Sequence, residues 1–383
     1  MATSPRHAHA SRRPSAAVRR RRLVALVVLA AAGAVLGAWL AGGDPAAASG
    51  PTASGGGAED GTGRAAQVQA GPLPLERAVG RKIMTAMDGT FPSRSLRARV
   101  RRGQVGGVIL FGPNVSPRLG QAIASLQRAA RAGGNPPLLI AVDQEGGEVK
   151  RLRTLPPPRA PAQMTAATAA SEGTATGRAL RARGINTDLA PVADVDHGSF
   201  LGSRSFGRDP GAVATAACAF AAGVQGAGVN ATLKHFPGLG RTRSNTDLGR
   251  VSVAASAAAL RADLEPYRRC GAAQTRLVML SNAIYPAFDP DRPAPFSPAI
   301  VTALLRGELG FTGVTITDTL GAPGIASSTT ALRATRAGVD ILLYVDERES
   351  ARGYRSLLAA VRGGRVSEGA VRASAGRVDA LPR

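Results

Sequence analysis

Short apolar segments alternate with longer segments rich in Ala, Arg and Leu over most of the chain. The short segments have the length of buried strands, and the longer ones have helical character. Seven strands are predicted, at 106–111, 138–142, 185–191, 231–235, 277–280, 314–317 and 339–344. Alternation of this kind indicates parallel βαβ units. We therefore predict an α/β fold, a (β/α)8 TIM-type barrel of regular or irregular form, although the pattern reveals no convincing eighth strand.

An open doubly wound sheet is the competing α/β architecture. A dinucleotide-binding sheet of that type carries a Gly-rich loop directly after its first strand. No such loop follows 106–111. The chain has 383 residues, which suits one barrel of roughly 250 residues or more with an appendage. The barrel is therefore the favoured architecture.

The N-terminal part has a different pattern. Four arginines at 19–22 precede an apolar run at 23–41, and a basic segment before an apolar run is typical of exported proteins. The run is long enough to span a bilayer, and Ala46–Ala48 resemble a cleavage site. Both a cleaved signal peptide and a retained anchor remain open. We expect an exported protein, extracellular or attached to the cell envelope, with membrane association through 23–41 if the leader is kept.

Domain boundaries follow from these changes in composition. Residues 1–48 form the signal peptide or membrane anchor. Residues 49–72 are mostly Gly, Ala, Ser and Pro with a few charged residues, which predicts a flexible linker. Residues 73–383 form a single barrel domain, which we expect to be a monomer.

The charge of the chain raises the question of a nucleic-acid partner. The formal net charge is +22, but seven arginines lie in the first 22 residues and aromatic residues make up only 4% of the chain. Nucleic-acid-binding surfaces typically combine dense basic runs with aromatic residues, and this chain has no such combination. We expect no nucleic-acid partner, whereas an anionic polymer of the cell envelope is compatible with a diffuse positive charge.

The chain has two cysteines, Cys218 and Cys270, in helical segments on either side of the strand at 231–235. In an oxidising compartment they could form a disulfide. Two small buried thiols are the alternative, because the sequence does not give the distance between the two Cα atoms.

Polar residues follow the apolar strands repeatedly. The clusters are Asp143-Gln144-Glu145, Asp194-Val195-Asp196-His197, Lys234-His235 and Thr317-Asp318-Thr319. In a parallel barrel the strand ends meet at one face, where active sites form. Carboxylates and cations together suit the hydroxyl groups of a sugar, which both donate and accept hydrogen bonds. A metal site is the competing hypothesis, but the histidines and acids lack ligand spacing, so we expect neither a metal nor an organic cofactor.

These segments also resemble a known family. The ordered motifs resemble those of family 3 glycoside hydrolases, and in particular the single-domain bacterial β-N-acetylhexosaminidases that act on cell-wall fragments. The resemblance covers nearly all of 73–383. It rests on GGVILF at 106–111, VDQEGG at 142–147, LAPVADV at 189–195, RSFG at 204–207, KHFPG at 234–238 and ITDTL at 316–320.

The resemblance implies roles for particular residues. Asp318 matches the catalytic nucleophile, which would form a covalent glycosyl-enzyme and give retention of configuration. Five further positions match residues that hold the sugar: Asp143, Arg151, Arg204, Lys234 and His235. The fold would be the barrel, and the substrate a carbohydrate derived from the cell wall.

The chain departs from the family in the loop after KHFPG. There the hexosaminidases carry Asp-Ser-His, whose histidine is the general acid and base, whereas this chain has Asn245-Thr246-Asp247. In a partly desolvated site the pKa of Asp247 would rise and the carboxyl group could protonate a leaving group. If Asp247 stays solvated, the domain is a slow enzyme or a sugar-binding protein. Glu148 also differs, since the family usually has arginine there.

The sequence therefore predicts an exported retaining β-glycosidase, a β-N-acetylhexosaminidase acting on terminal β-linked N-acetylhexosamine, with Asp318 and Asp247 as its catalytic pair. A β-glucosidase or another exo-glycosidase of the same family is the first alternative. A non-catalytic carbohydrate-binding protein of the envelope is the second.

Overall fold

The computed structural model describes residues 73–272 and 275–383. Eight parallel strands form one sheet, and two antiparallel hairpins are added to it. In chain order the strands are β1 (Ile83–Ala86), β2 (Gly107–Leu110), β3 (Leu139–Val142), β4 (Gln144–Gly146), β5 (Val149–Lys150), β6 (Thr187–Asp188), β7 (Asn230–Phe236), β8 (Leu277–Leu280), β9 (Ile284–Tyr285), β10 (Asp289–Pro293), β11 (Val314–Thr317) and β12 (Leu342–Tyr344).

The sheet closes into a barrel. Its strand order is β11-β8-β7-β6-β3-β2-β1-β12, and a parallel bridge between Ile316 and Ile341 joins the two outer strands. The hairpins are β4 with β5 and β9 with β10. The predicted (β/α)8 TIM-type barrel is therefore confirmed, and each of the seven predicted strands overlaps a strand of the sheet.

The strand that the sequence pattern did not reveal is β1. It lies between β2 and β12, and all four of its residues are buried. Its sequence, Ile-Met-Thr-Ala, begins one residue after a helix that ends at Arg81. Because Met and Ala favour helices and no turn residue intervenes, the segment resembles a continuation of that helix.

Helices surround the barrel and connect its strands. In chain order they are α1 (Leu75–Arg81), α2 (Arg94–Arg101), α3 (Leu119–Ala132), α4 (Ala166–Arg181), α5 (Pro210–Gly226), α6 (Ala257–Ala262), α7 (Glu265–Ala272), the π-helix Ala299–Glu308, α8 (Thr330–Arg336), α9 (Glu347–Arg362) and α10 (Glu368–Asp379). Side-chain oxygens accept a backbone N–H at several helix starts, as helix capping requires. The capping residues are Ser93, Thr165, Asp209, Ser256, Asp346 and Ser367.

The inside of the barrel is apolar below the strand ends. Met84, Ile109 and Leu139 pack there with residues of the opposite strands. Val378 of α10 belongs to the same cluster, so the last helix closes the amino-terminal end of the barrel. A ligand can therefore reach the barrel only from the opposite side, at the carboxyl-terminal ends of the strands.

The two cysteines form a disulfide. Cys218 of α5 and Cys270 of α7 have Cα atoms 5.0 Å apart, a separation that a disulfide allows. Of the two alternatives that the sequence left open, the structure therefore has the bonded pair.

The predicted leader at 1–48 and linker at 49–72 lie outside the described residues, so the domain boundaries stay a prediction. Within 73–272 and 275–383 no helix is long and apolar enough to cross a membrane.

Candidate active site

The carboxyl-terminal ends of the strands carry the residues that the sequence singled out. Asp143 follows β3, Lys234 and His235 lie on β7, and Asp318 follows β11. The loops supply the others: Arg151 after β5, Arg204 after β6 and Asp247 after β7. The pKa of Asp247 is affected by the charges of four of these residues, namely Asp318, His235, Arg204 and Asp143. These residues therefore lie together at the mouth of the barrel.

A buried lysine is bonded to two carboxylates in the wall of the mouth. Lys234 Nζ lies 2.8 Å from Asp143 Oδ1 and 2.7 Å from Glu145 Oε1. Burial alone would lower the pKa of Lys234, but the two carboxylates outweigh that effect and raise it. The lysine is therefore a fixed positive charge.

Glu145 has a second cationic partner, because Arg204 binds it through two hydrogen bonds. Arg204 donates from Nε to Oε2 at 2.8 Å and from Nη2 to Oε1 at 2.9 Å. Burial would raise the pKa of Glu145, but the charges of Arg204 and Lys234 outweigh it and lower the pKa to about 2. The predicted site residues did not include Glu145, although its place two residues after Asp143 was a usable signal.

Arg151 completes this group on the solvent side. Its Nη2 lies 3.3 Å from Asp143 Oδ2, and its guanidinium lies 5.7 Å from the centre of the Phe111 ring. For Asp143, burial would raise the pKa, but Lys234 and then Arg151 outweigh burial and hold it below its usual value. Both carboxylates are therefore ionised hydrogen-bond acceptors near neutral pH.

His235 is oriented by a buried carboxylate that the sequence did not single out as a site residue. Its Nδ1 lies 2.7 Å from Asp194 Oδ2. Asp194 also accepts the backbone N–H groups of His235, at 3.1 and 3.2 Å, and of Leu239, at 2.7 Å. The Nδ1 contact fixes the ring, and its Nε2 is then the atom that can face a ligand.

Asp318 sits at the end of β11 and is half-buried. Its Oδ1 accepts the Thr319 N–H at 2.6 Å, and its own N–H donates to the Leu280 carbonyl at 3.1 Å. Within the described residues its carboxylate has no ion pair, whereas Asp143 and Glu145 are both paired. The carboxylate is thus held by the strand end but remains free to react.

Asp247 lies in the loop after β7 and is exposed to solvent, although protein atoms of the mouth surround it. Its backbone N–H donates to Asn245 Oδ1 at 2.9 Å, which forms a tight turn. Desolvation by the surrounding protein and then the charge of Asp318 raise the pKa of Asp247 to about 6, against the opposing effects of His235 and Arg204. A carboxyl group with this pKa can donate a proton near neutral pH and take it back.

Both ends of this loop are anchored. Near its start, Arg241 Nε lies 2.6 Å from Asp263 Oδ2, and His197 Nε2 lies 3.1 Å from Asp263 Oδ1. Near its end, the backbone of Gly249 and Arg250 is in contact with Gly324, in the loop that follows Asp318. The loop that carries Asp247, which we call the acid loop, is therefore in direct contact with the loop that follows Asp318.

The competing metal hypothesis requires a cluster of ligands. Among the described residues no group of three or more His, Cys, Asp or Glu side chains is arranged to hold a metal ion. The carboxylates of the mouth are instead paired with Lys234, Arg204 and Arg151.

Known sequences and structures resemble this chain over most of its length. The model of the family described as Glycosyl hydrolase family 3 N terminal domain matches residues 77–381. An uncharacterized secreted glycosyl hydrolase of Arthroderma benhamiae is 34% identical over an alignment of 339 residues that covers 82% of this chain and 96% of that protein. A beta-hexosaminidase of Pseudomonas aeruginosa is 37% identical over 283 residues, covering 70% and 83% of the two chains.

Two solved structures share the fold. The Beta-N-acetylhexosaminidase of Beutenbergia cavernae is 34% identical, with a TM-score of 0.73 over 80% of this chain and 98% of that one. The family 3 beta-N-acetylglucosaminidase of Paenibacillus has 35% identity and a TM-score of 0.77, over 81% of this chain and 62% of that longer one.

Proposed function

This chain belongs to glycosyl hydrolase family 3, and from that premise we propose that it is an exported, retaining β-N-acetylhexosaminidase in which Asp318 is the nucleophile and Asp247 the general acid and base. The observation that carries the proposal is the difference among the carboxylates of the mouth. Asp143 and Glu145 are neutralised by cations, whereas Asp318 and Asp247 have no cationic partner within the described residues.

The paired groups bind the sugar. Carboxylates whose pKa is lowered accept hydrogen bonds from hydroxyl groups, and Lys234 and the arginines donate hydrogen bonds to hydroxyl and acyl oxygens. Because Lys234 and Glu145 are buried and bonded to each other, they are oriented before the substrate arrives. Such preorganisation reduces the entropy lost on binding.

The first chemical step breaks the glycosidic bond. A carboxylate oxygen of Asp318 attacks the anomeric carbon and forms a covalent ester, while Asp247 gives its proton to the departing oxygen. The leaving group departs as a neutral alcohol. Both carboxylic functions are then used: Asp318 is esterified and Asp247 is ionised.

The second step releases the sugar. The ionised Asp247 takes a proton from water, and the resulting nucleophile attacks the anomeric carbon and displaces the Asp318 carboxylate. Two inversions give net retention. A pKa near 6 suits both steps, because the same group must be an acid in one and a base in the other.

The sugar class is supported by the relatives. The proteins from Pseudomonas aeruginosa and Beutenbergia cavernae are named as hexosaminidases. We propose terminal β-linked N-acetylhexosamine, derived from the cell wall, as the substrate of this chain. The names of these relatives give no support to glucose as the sugar or to a purely binding role.

Export is supported by three independent features. They are the basic and apolar N-terminal segment, the disulfide between Cys218 and Cys270, and the secreted relative from Arthroderma benhamiae. Disulfides persist in oxidising compartments outside the cytoplasm. The proposal includes a monomer that is either released after cleavage or held by 23–41.

Hydrolysis of two aryl glycosides tests this function. We expect p-nitrophenyl β-N-acetylglucosaminide to be cleaved with a kcat/KM at least about 100-fold above that of the β-glucoside, since the acetamido group adds polar contacts. Nuclear magnetic resonance should show the β-anomer as the first product. Cleavage of neither substrate would leave a binding protein, and preference for the glucoside would identify a β-glucosidase.

A further inference from the structure

Arginines are concentrated without counterions in one sector of the barrel. Residues 89–142 contain eight arginines and no acidic residue. This segment covers α2, β2 and α3. Arg99 is buried and donates to Ser350 Oγ and to the Glu347 carbonyl. The other seven form what we call the α2–α3 arginine surface: Arg94, Arg97, Arg101, Arg102, Arg118, Arg128 and Arg131.

None of these seven arginines has an acidic partner within residues 73–272 and 275–383, and their segment, 89–142, contains no Asp or Glu that could supply one. Elsewhere arginines pair with carboxylates, as in Arg81 with Asp379 and Arg261 with Glu308. Unpaired like charges repel each other and create a local positive potential. That potential attracts anions, and a polyanion gains further free energy by releasing the small counterions that surround it.

The seven arginines are distributed along the length of the two helices, from the mouth towards the far end of the barrel. Helices α2 and α3 pack against each other. Both begin after strand ends at the mouth, where Arg94 and Arg118 lie, and Arg101 and Arg131 lie in their last turns. A helix of 14 residues such as α3 is about 21 Å long. The α2–α3 arginine surface is therefore long enough to contact several successive charged groups of a polymer.

Two of the arginines are held by one aromatic ring. The guanidinium carbons of Arg97 and Arg118 lie 5.9 and 5.1 Å from the centre of the Phe91 ring. Cation–π contacts restrict both side chains and bring two guanidinium groups from separate segments onto one small area. Arginine is also the residue whose fork of N–H donors fits phosphate oxygens in pairs.

We propose that the α2–α3 arginine surface binds a flexible polyanion with phosphate groups spaced along its chain, outside the active site. A bilayer is disfavoured because the exposed large aliphatic side chains among the described residues are Val115, Leu248 and Val345, none of which lies on α2 or α3. Helices that bind membranes insert large apolar side chains into the lipid. The proposal is independent of the chemistry at the mouth.

Binding of fluorescently labelled linear inorganic polyphosphate to the full-length protein tests the proposal. The variant Arg101→Gln/Arg128→Gln/Arg131→Gln removes three exposed charges of the surface. The matched control, Arg178→Gln/Arg183→Gln/Arg365→Gln, removes three exposed arginines that also lack acidic partners among the described residues. Both variants have the same net charge and keep the N-terminal arginines.

We expect the surface variant to bind polyphosphate at least about 10-fold more weakly, and the slope of log K against log salt to fall by about two. The control should change affinity less than about 2-fold, and both should hydrolyse a small aryl glycoside like the wild type. Equal losses in the two variants, or no loss in the surface variant, would overturn the proposal. Tighter binding of duplex DNA or of phosphatidylglycerol vesicles at equal phosphate concentration would replace the polymer with a nucleic acid or a membrane.

Discussion

Arg204 donates two parallel hydrogen bonds to Glu145, at 2.8 and 2.9 Å, in the wall of the barrel mouth. Glu145 is fully buried and also lies 2.7 Å from Lys234 Nζ. One carboxylate therefore orients two of the cations that we propose to bind the sugar. Glu145 therefore contributes both to the stability of the mouth and to the position of two groups that we propose to bind the sugar.

Loss of this carboxylate should destabilise the protein. In Glu145→Ala, Lys234 and Arg204 lose a buried partner, and removing one member of a buried ion pair costs about 3–5 kcal/mol. Urea denaturation should show that decrease in the free energy of unfolding. The control Arg268→Ala breaks an exposed pair with Glu265 and should cost less than about 1 kcal/mol. Equal costs for the two variants would show that burial of the pair is unimportant.

The pH dependence of activity should report Asp247. Its pKa is raised to about 6, so the acid form is present below that pH and is lost as pH rises through it. With a natural disaccharide, kcat/KM should therefore fall about 10-fold per pH unit above pH 6. Asp247→Asn should have a much lower kcat/KM, and its pH profile should lack the decrease above pH 6. A wild-type profile that is flat from pH 5 to pH 8 would exclude Asp247 as the acid.

The leaving group should decide how much Asp247 contributes. A dinitrophenolate departs without a proton, whereas a sugar alcohol does not. Asp247→Ala should lower kcat strongly for a disaccharide and weakly for a dinitrophenyl glycoside. Azide should restore the second step on the activated substrate, since it attacks the glycosyl-enzyme without a base. Equal losses on both substrates, without an azide effect, would show that Asp247 only shapes the loop.

Gly324 should position the acid through the contact between two loops. A Cβ atom at Gly324 would lie 2.6 Å from backbone atoms of Gly249 and Arg250, so Gly324→Ala must displace the acid loop. A displacement near 1 Å can cost up to about 100-fold. We expect kcat for a disaccharide to fall 10- to 100-fold, with KM and dinitrophenyl glycoside turnover nearly unchanged.

Gly249→Ala is the matched control, because a Cβ atom at Gly249 meets nothing within 4 Å. It should behave like the wild type on both substrates. If Gly324→Ala also behaves like the wild type while Asp247→Ala shows the leaving-group effect, the acid is correct and the loop contact is unimportant.

The sequence predicted the barrel and the location of the mouth for a physical reason. Strands buried on both faces are continuous apolar runs, and parallel strands bring the residues that follow them to one end. Strand β1 was not predicted because its four residues follow a helix and no turn residue separates the two elements. The sequence therefore predicted seven strands and the end of the barrel where the candidate site lies, but not β1, which lies between β2 and β12.

Other features depend on contacts between distant segments. The pKa of Asp247 depends on the protein around it and on how closely its loop approaches Asp318. The sequence pattern near Asp247 does not determine where that loop lies. The pairing of Arg204 with Glu145, 59 residues apart, and the role of Gly324 in loop contact have the same origin. The disulfide was left open because only the structure gives its Cα separation.

The central claim is that Asp318 forms a covalent bond with the sugar, and trapping tests it most directly. A 5-fluoro N-acetylglucosaminyl fluoride should form a slowly hydrolysed intermediate, because the ring fluorine destabilises the cationic transition states while fluoride leaves readily. Intact-protein mass spectrometry should then show one added glycosyl unit, and peptide mapping should locate it on Asp318. Asp318→Asn should give no adduct and lose turnover by at least about 1,000-fold. An adduct on another residue, or wild-type turnover by Asp318→Asn, would contradict the account.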